Sequence, residues 1–233
     1  MRYLHFGSPW VQGAMRIARP WALELEYTRE LMMPLLLRGE TGWPRSVLQV
    51  GLGAASITRF LHHHFPATRL TVVEIVPEVV HTARAYFKLP DDGMTLVPGD
   101  GADYMARATA TYDLIVVDGF DGRGRAGRLD SVPFYLDAKS RLARQGMLAV
   151  NFLTRRKTAA PSIERMGEAF GERVLALDAS EAGNVVALAA VGPRIGFTID
   201  ELREAAARLK AQAGLDLAGT LSRLAARGGR LDL

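Results

Sequence analysis

Short apolar runs alternate with helical patterns through the middle of this chain. Ser46–Val50 is continuous enough in apolar character to be a strand covered on both faces, and from Ile57 to Phe65 the apolar positions recur at helical spacing. Leu70–Glu74, Met94–Val97, Asp113–Val117 and Met147–Phe152 repeat the strand signal. Between them, Pro77-Glu78 opens a helix at a position where the proline's missing donor costs nothing, with Val79, Val80, Ala83 and Tyr86-Phe87 as its buried face. A further helix is expected over 132–144, ahead of the Gln145-Gly146 turn. A helix over 161–170 and strands over 172–178 and Asn184–Val191, separated by Glu181-Ala-Gly183, read as a closing hairpin that makes the last strand antiparallel. This alternation predicts an α/β chain, with a seven-stranded, mostly parallel sheet and helices on both faces.

The two ends carry different patterns. Trp10, Val11, Met15, Ile17, Trp21, Leu23 and Leu25, punctuated by Gly7-Ser-Pro9, Gly13 and Pro20, predict a short β ribbon over residues 1–26. The pattern turns helical from Tyr27 to Leu37, so Tyr27 falls where ribbon meets helix. Residues 27–195 are expected to form the α/β domain. Residues 196–233 form C-terminal helices packed on it: Thr198 and Glu201 have capping-box spacing, and a second helix is expected over Leu217–Ala226.

The chemistry collects where strands end. The strand at Ser46–Val50 passes directly into Gly51-Leu-Gly-Ala-Ala-Ser56, where Gly51 and Gly53 allow close approach to a ligand at the positive end of a helix. Glu74 closes the next strand, about 20 residues on, where sheets of this kind hold a ribose diol. The following strands lead into Pro98-Gly-Asp-Gly101 and Asp118-Gly-Phe-Asp121. Three successive strands thus deliver Glu74, Asp100 and the Asp118/Asp121 pair to one crevice. A nicotinamide dehydrogenase would use the glycines and Glu74, but it leaves the other acids without a role, and its third glycine is Ser56 here. A nucleoside pocket of Gly51, Gly53, Glu74, Asp100 and Gly101 is therefore expected.

Val73-Glu-Ile75, Gly99-Asp-Gly101, Tyr112-Asp-Leu-Ile-Val-Val-Asp118 with Asp121, and Phe134-Tyr135 resemble the spermidine synthases (polyamine aminopropyltransferases), which share the Rossmann-like class I S-adenosylmethionine-dependent methyltransferase fold. The resemblance runs from about Tyr27 to Val191 and implies a larger N-terminal β region than this chain has. It implies that Glu74 binds the ribose hydroxyls, Asp100 contacts the adenine amino group, Asp118 helps deprotonate the attacking amine and Asp121 holds the acceptor. Tyr27, in Leu25-Glu-Tyr-Thr-Arg29, matches the family's active-site tyrosine. The co-substrate so implied is decarboxylated S-adenosylmethionine, or S-adenosylmethionine itself, and the acceptor a small-molecule amine. Three positions depart from the family. Ala54 replaces the aspartate of Gly-Gly-Gly-Asp-Gly-Gly that pairs with the amine of the decarboxylated donor, Thr28 replaces glutamine, and Asp118-Gly-Phe-Asp-Gly122 replaces Asp-Ser-Ser-Asp-Pro.

Composition narrows the classes further. The 233 residues contain no cysteine, which excludes disulfides, thiolate metal sites and a cysteine nucleophile. No apolar run approaches the roughly 20 residues of a membrane span and the N-terminus has no secretion-signal pattern, so a cytoplasmic protein without a membrane partner is expected. With 29 basic against 25 acidic residues the net charge of +4 is mild, and nucleic acid is not an expected partner; a homodimer is the assembly considered. His62-His-His64 is not expected to bind metal, because adjacent helical residues point apart. Gly119, Gly122, Gly124 and Gly127 with Arg123, Arg125 and Arg128 predict a basic lid over the crevice, and Arg155-Arg-Lys157 a solvated loop. Three functions follow in order: aminopropyl transfer to an amine, methyl transfer from S-adenosylmethionine favoured by Ala54, and a non-catalytic nucleoside- or nucleic-acid-binding role.

Overall fold

In the computed structural model, which describes residues 1–5, 7, 11–39, 42–121, 124–154, 158–180, 182–228 and 230–233, one seven-stranded sheet organises the chain. Trp10, Arg123, the Arg155-Arg-Lys157 run and Glu181 lie outside the described residues. An antiparallel ribbon of β1 (Arg2–Leu4) and β2 (Gly13–Met15) comes first, followed by α1 (Glu26–Leu31) and α2 (Pro34–Leu37). The main run is β3 (Ser46–Val50), α3 (Ser56–His64), β4 (Arg69–Glu74), α4 (Pro77–Tyr86), β5 (Met94–Pro98), α5 (Gly101–Arg107) and β6 (Tyr112–Val117). After a 3₁₀ turn at Gly127–Leu129 come α6 (Val132–Ser140), β7 (Leu142–Leu153), α7 (Ala160–Phe170), β8 (Val174–Ala176) and β9 (Asn184–Ala190). The chain ends with β10 (Gly196–Thr198), α8 (Ile199–Ala213), α9 (Ala218–Arg227) and β11 (Arg230–Asp232). Strand order is β5-β4-β3-β6-β7-β9-β8, with β9 antiparallel to both of its neighbours.

Apolar side chains on both faces explain why the strands read as continuous hydrophobic runs. Leu48, Val50, Ile115 and Val117 pack with Phe134, Tyr135 and Met166 of α6 and α7. Their alternates Val47, Leu114 and Val116 pack with Phe60, Leu61 and Leu202 on the opposite face. Among the described residues, no helix is long and apolar enough to cross a membrane.

Boundaries shift where tertiary contacts compete with the local pattern. The helix expected over 132–144 ends at Ser140, and β7 begins at Leu142, which pairs with Tyr112 before the register jumps to Leu114↔Met147. Gly146 backs onto Leu142 in that jump, where a Cβ would lie 2.8 Å from the Leu142 Cβ. The helical pattern of 27–37 divides at Met32-Met33, with Pro34 opening α2. Among the described residues, the N-terminal ribbon pairs β1 with β2 at three positions. The capping box at Thr198 forms as expected. The β10–β11 ribbon that clasps the two C-terminal helices has no periodicity to announce it, since each strand is only three residues long.

Candidate active site

Two glycines bring the strand ends together. Gly51 follows β3 with φ of 91°, and a Cβ there would stand 2.3 Å from the Asp118 carbonyl oxygen. A Cβ on Gly101 would stand 2.3 Å from Cγ1 of Val50. Any side chain at either position would separate β3 from the loop after β6 or from the start of α5. Gly53, by contrast, has open space around it. Leu129 of the 3₁₀ turn closes the neighbouring gap, 3.3 Å from where a Gly101 Cβ would be.

Glu74 is held by backbone at the rim of this floor. Its Oε2 accepts from Leu52 N at 2.8 Å and its Oε1 from Val76 N at 2.9 Å. Each oxygen keeps a lone pair for a hydroxyl donor, while the carboxylate plane is fixed by two amides from the turns that follow β3 and β4. Beside it, Ile75 is 60% exposed, an apolar surface next to the charged one. Asp100 caps α5: its Oδ1 accepts from Ala102 N at 2.7 Å and Asp103 N at 3.2 Å, leaving Oδ2 toward Arg128 at 3.6 Å.

Asp118 lies at the end of β6, bonded through its backbone N–H to Val50 O at 2.9 Å. Asn151 Nδ2 donates to its Oδ1 at 2.8 Å, and the Tyr27 hydroxyl also bonds its carboxylate. The Tyr27 hydroxyl also lies 3.4 Å from the Gln12 carbonyl oxygen, so the crevice gathers α1, the segment leading into β2, and β6. Burial pushes the Asp118 carboxyl above the usual carboxylate range, while the Asn151 and Tyr27 bonds pull the other way. A carboxylate raised in this manner is a better proton acceptor than a solvated one.

Asp121 is placed differently from Asp118. It is exposed and forked by Arg125, with Nε at 2.8 Å and Nη2 at 2.7 Å from Oδ2 and the Arg125 amide at 2.9 Å from Oδ1. Arg128 turns to Asp103 at 2.8 Å. These two loop arginines therefore sit in ion pairs with neighbouring acids. The histidine rings have different partners: His63 stacks on Trp21 with centroids 4.0 Å apart, His62 Nε2 faces Asp92 at 3.5 Å, and His64 packs near Phe60 and edge-on to His63, with centroids 4.7 Å apart.

Ala54 is buried with Leu4, Met15 and Phe87, and a Cβ on Gly13 would be 2.4 Å from the Ala54 Cβ. The ribbon thus closes directly over the position at which the resembled family has its donor-selecting acid.

Two residues of the site escaped the sequence reading. Asn151 and Asn184 are buried on β7 and β9, and Asn184 Nδ2 donates to Asn151 Oδ1 at 3.0 Å, which leaves the Asn151 amide group aimed at Asp118. The signal was available: a single asparagine inside the apolar run Met147–Phe152 needs a partner, because a buried amide without one is costly. The other missed feature lies behind Tyr27. Arg223 of α9 reaches Glu26 at 2.8 Å and the fully buried Glu30 at 2.6 Å, and Thr220 adds a bond to Glu30 at 3.1 Å, so the C-terminal helices grip the far side of α1.

Residues 26–155 match the model of the spermine/spermidine synthase domain. A polyamine aminopropyltransferase of Neisseria meningitidis is 36% identical over 228 residues, covering 97% of this chain and 86% of the relative. A spermidine synthase crystal structure in complex with the transition-state analogue AdoDATO superposes with a TM-score of 0.62 at 23% identity, over 72% of this chain and 61% of that one. Human methyltransferase-like protein 13 in complex with SAH gives 0.65 at 24% identity, over 80% and 89%. At such identities the two structures speak for the shared fold alone.

Proposed function

Since this chain belongs to the spermine/spermidine synthase family, we propose that it transfers an aminopropyl group from decarboxylated S-adenosylmethionine to a small-molecule amine. The observation that carries this reading is the Asp118 carboxylate, set at the end of β6 between Tyr27 and Asn151 and raised by burial. Glu74 takes the ribose diol, Asp100 and Gly101 border the base, and Gly51 and Gly53 let the donor lie close to the turn. The electrophilic carbon is already activated by the sulfonium. The amine lone pair forms the C–N bond as the C–S pair returns to sulfur, and methylthioadenosine leaves. What the protein supplies is alignment and a place for the amine proton. Asp118 receives that proton, and Tyr27 and Asn151 hold the carboxylate in position.

Turnover of putrescine and decarboxylated S-adenosylmethionine to spermidine and methylthioadenosine by the purified protein tests the reading. At the acceptor end, Asp121 is already paired with Arg125. A distal ammonium reaches Asp121 only by displacing Arg125, so Arg125→Ala is expected to lower the KM for putrescine several-fold and leave that for the donor unchanged. An unchanged putrescine KM would remove Asp121 from the acceptor site. Methyl transfer from S-adenosylmethionine is the second reading, favoured by Ala54, which sets no negative charge against a donor carboxylate. Product analysis with each donor separates the two.

For the nucleoside pocket, Glu74→Ala should weaken methylthioadenosine by about 1–3 kcal/mol, the range for a lost hydrogen bond to a charged group. Titration calorimetry reads this directly. Equal affinity for variant and parent would place the ribose elsewhere.

A further inference from the structure

Arg59 is the most heavily buried basic side chain that the proposed reaction leaves unused. On α3 and 4% exposed, it donates from Nε to Pro20 O at 2.6 Å and from Nη1 to the carbonyls of Ala54 and Phe87. Among the described residues its Nη2 has no partner. Every group it bonds is a neutral carbonyl. Buried guanidinium groups are ordinarily matched by a carboxylate or a bound anion, since the charge and its remaining donors are otherwise uncompensated. Burial lowers its pKa to about 10, which still leaves it charged at neutral pH.

A cleft lies against this side chain, walled by Trp21, Arg59, His62, His63 and Lys88 together with two prolines. No acidic residue is part of that wall. Asp92 pairs with His62 at 3.5 Å and stands 95% exposed in water. Lys88 enters the cleft from the residue after the Phe87 cap of α4, in a left-handed conformation with φ of 49°. At such a position glycine relieves the strain, and a lysine there keeps a cation at the mouth of the cleft. Trp21 stacked on His63 supplies a flat, rigid side wall. The cleft lies along the last turn of α3, whereas the nucleoside turn precedes the first turn of the same helix.

We propose that this cleft is a binding site for a phosphate-class anion, held by Arg59, Lys88 and the exposed imidazole of His63. The anion accepts the unused Arg59 donors and neutralises the cationic cluster. Because the same guanidinium bonds the Ala54 carbonyl, the site is joined covalently and by hydrogen bonds to the turn that carries Gly51 and Gly53.

Calorimetry on the full chain tests this with two probes, inorganic phosphate and adenosine monophosphate, against the parent, Lys88→Glu and His63→Glu. Saturable phosphate binding by the parent is expected, weakened roughly tenfold or more by either charge change, with methylthioadenosine affinity and the circular dichroism spectrum unaltered. If adenosine monophosphate binds more tightly than phosphate and is weakened in parallel, the site takes an esterified phosphate; equal affinities assign it to free phosphate. No saturable phosphate binding by the parent, or binding indifferent to both variants, overturns the proposal. So does adenosine monophosphate binding that survives both variants and is displaced by methylthioadenosine while phosphate alone gives no signal, because the nucleotide then occupies the crevice.

Discussion

Asp118→Asn should lower kcat by about 10²–10⁴-fold, the usual contribution of a positioned proton acceptor, and leave methylthioadenosine affinity close to that of the parent. The amide keeps the shape of the carboxylate and can still meet Asn151 and Tyr27, but it takes no proton. Burial, the largest influence on this carboxyl, raises its pKa; activity that needs the ionised form is therefore lost as pH falls through that raised value. The acid limb of the parent's kcat–pH profile should accordingly lie above the range of an ordinary carboxylate, and it should vanish in the variant's residual activity. The same shift has a consequence for stability. A raised folded-state pKa means that the fold is favoured below the unfolded pKa and loses that contribution as pH rises through the folded one, so at neutral pH the charge of Asp118 works against folding. The Asn variant should melt no lower than the parent at pH 7. Equal losses in binding and rate, or a fall in Tm, would make Asp118 a wall of the pocket and no longer its base.

Arg223→Met should destabilise the chain by about 3–5 kcal/mol, as expected when one partner of a buried ion pair is removed. Glu30 has no exposed surface, and burial already pushes its carboxyl up against the opposing influence of Thr220 and Arg223. For Arg223 itself burial acts against the charge, and its two carboxylates more than offset it, so the unfavourable side of the pair rests on Glu30. Glu30→Met combined with Arg223→Met should recover most of the loss, because methionines at both positions leave no uncompensated charge. Urea denaturation of the two single variants and the double variant gives the coupling. Additive losses would show that the pair does not act as a unit. A fall in kcat in the double variant, with stability restored, would in turn show that the grip on α1 orients Tyr27.

The sheet was legible in the sequence because both of its faces are covered. Burial on both sides makes Ser46–Val50, Leu70–Glu74 and their successors continuous apolar runs, and Glu74 and Asp118 stand where two of them end. Those two strand-end residues are the ones proposed to carry the chemistry, so the signal that marked the fold also marked the candidate crevice. Contacts that join distant parts of the chain were not legible. Arg223 meets Glu30 across 193 positions and Asn184 meets Asn151 across 33, and no local pattern specifies such partners. Asp121 illustrates the limit in the other direction: it was expected to hold the acceptor, but the arginine four positions on pairs with it, and spacing alone does not say whether a nearby arginine pairs inward or outward.

The contact between Gly13 and Ala54 bears on how the chain can change over evolutionary time. A longer side chain at 54 runs into the backbone of β2, and a side chain at 13 runs into Ala54. Installing the family's aspartate at 54 would drive a charge into the apolar cluster of Leu4, Met15 and Phe87 unless the ribbon also moved. The two positions are coupled: a side chain at 13 and the Ala54 side chain compete for one space. Placing an aspartate at 54 therefore calls for remodelling of the N-terminal ribbon as well, far in the sequence from the residue whose identity is at stake.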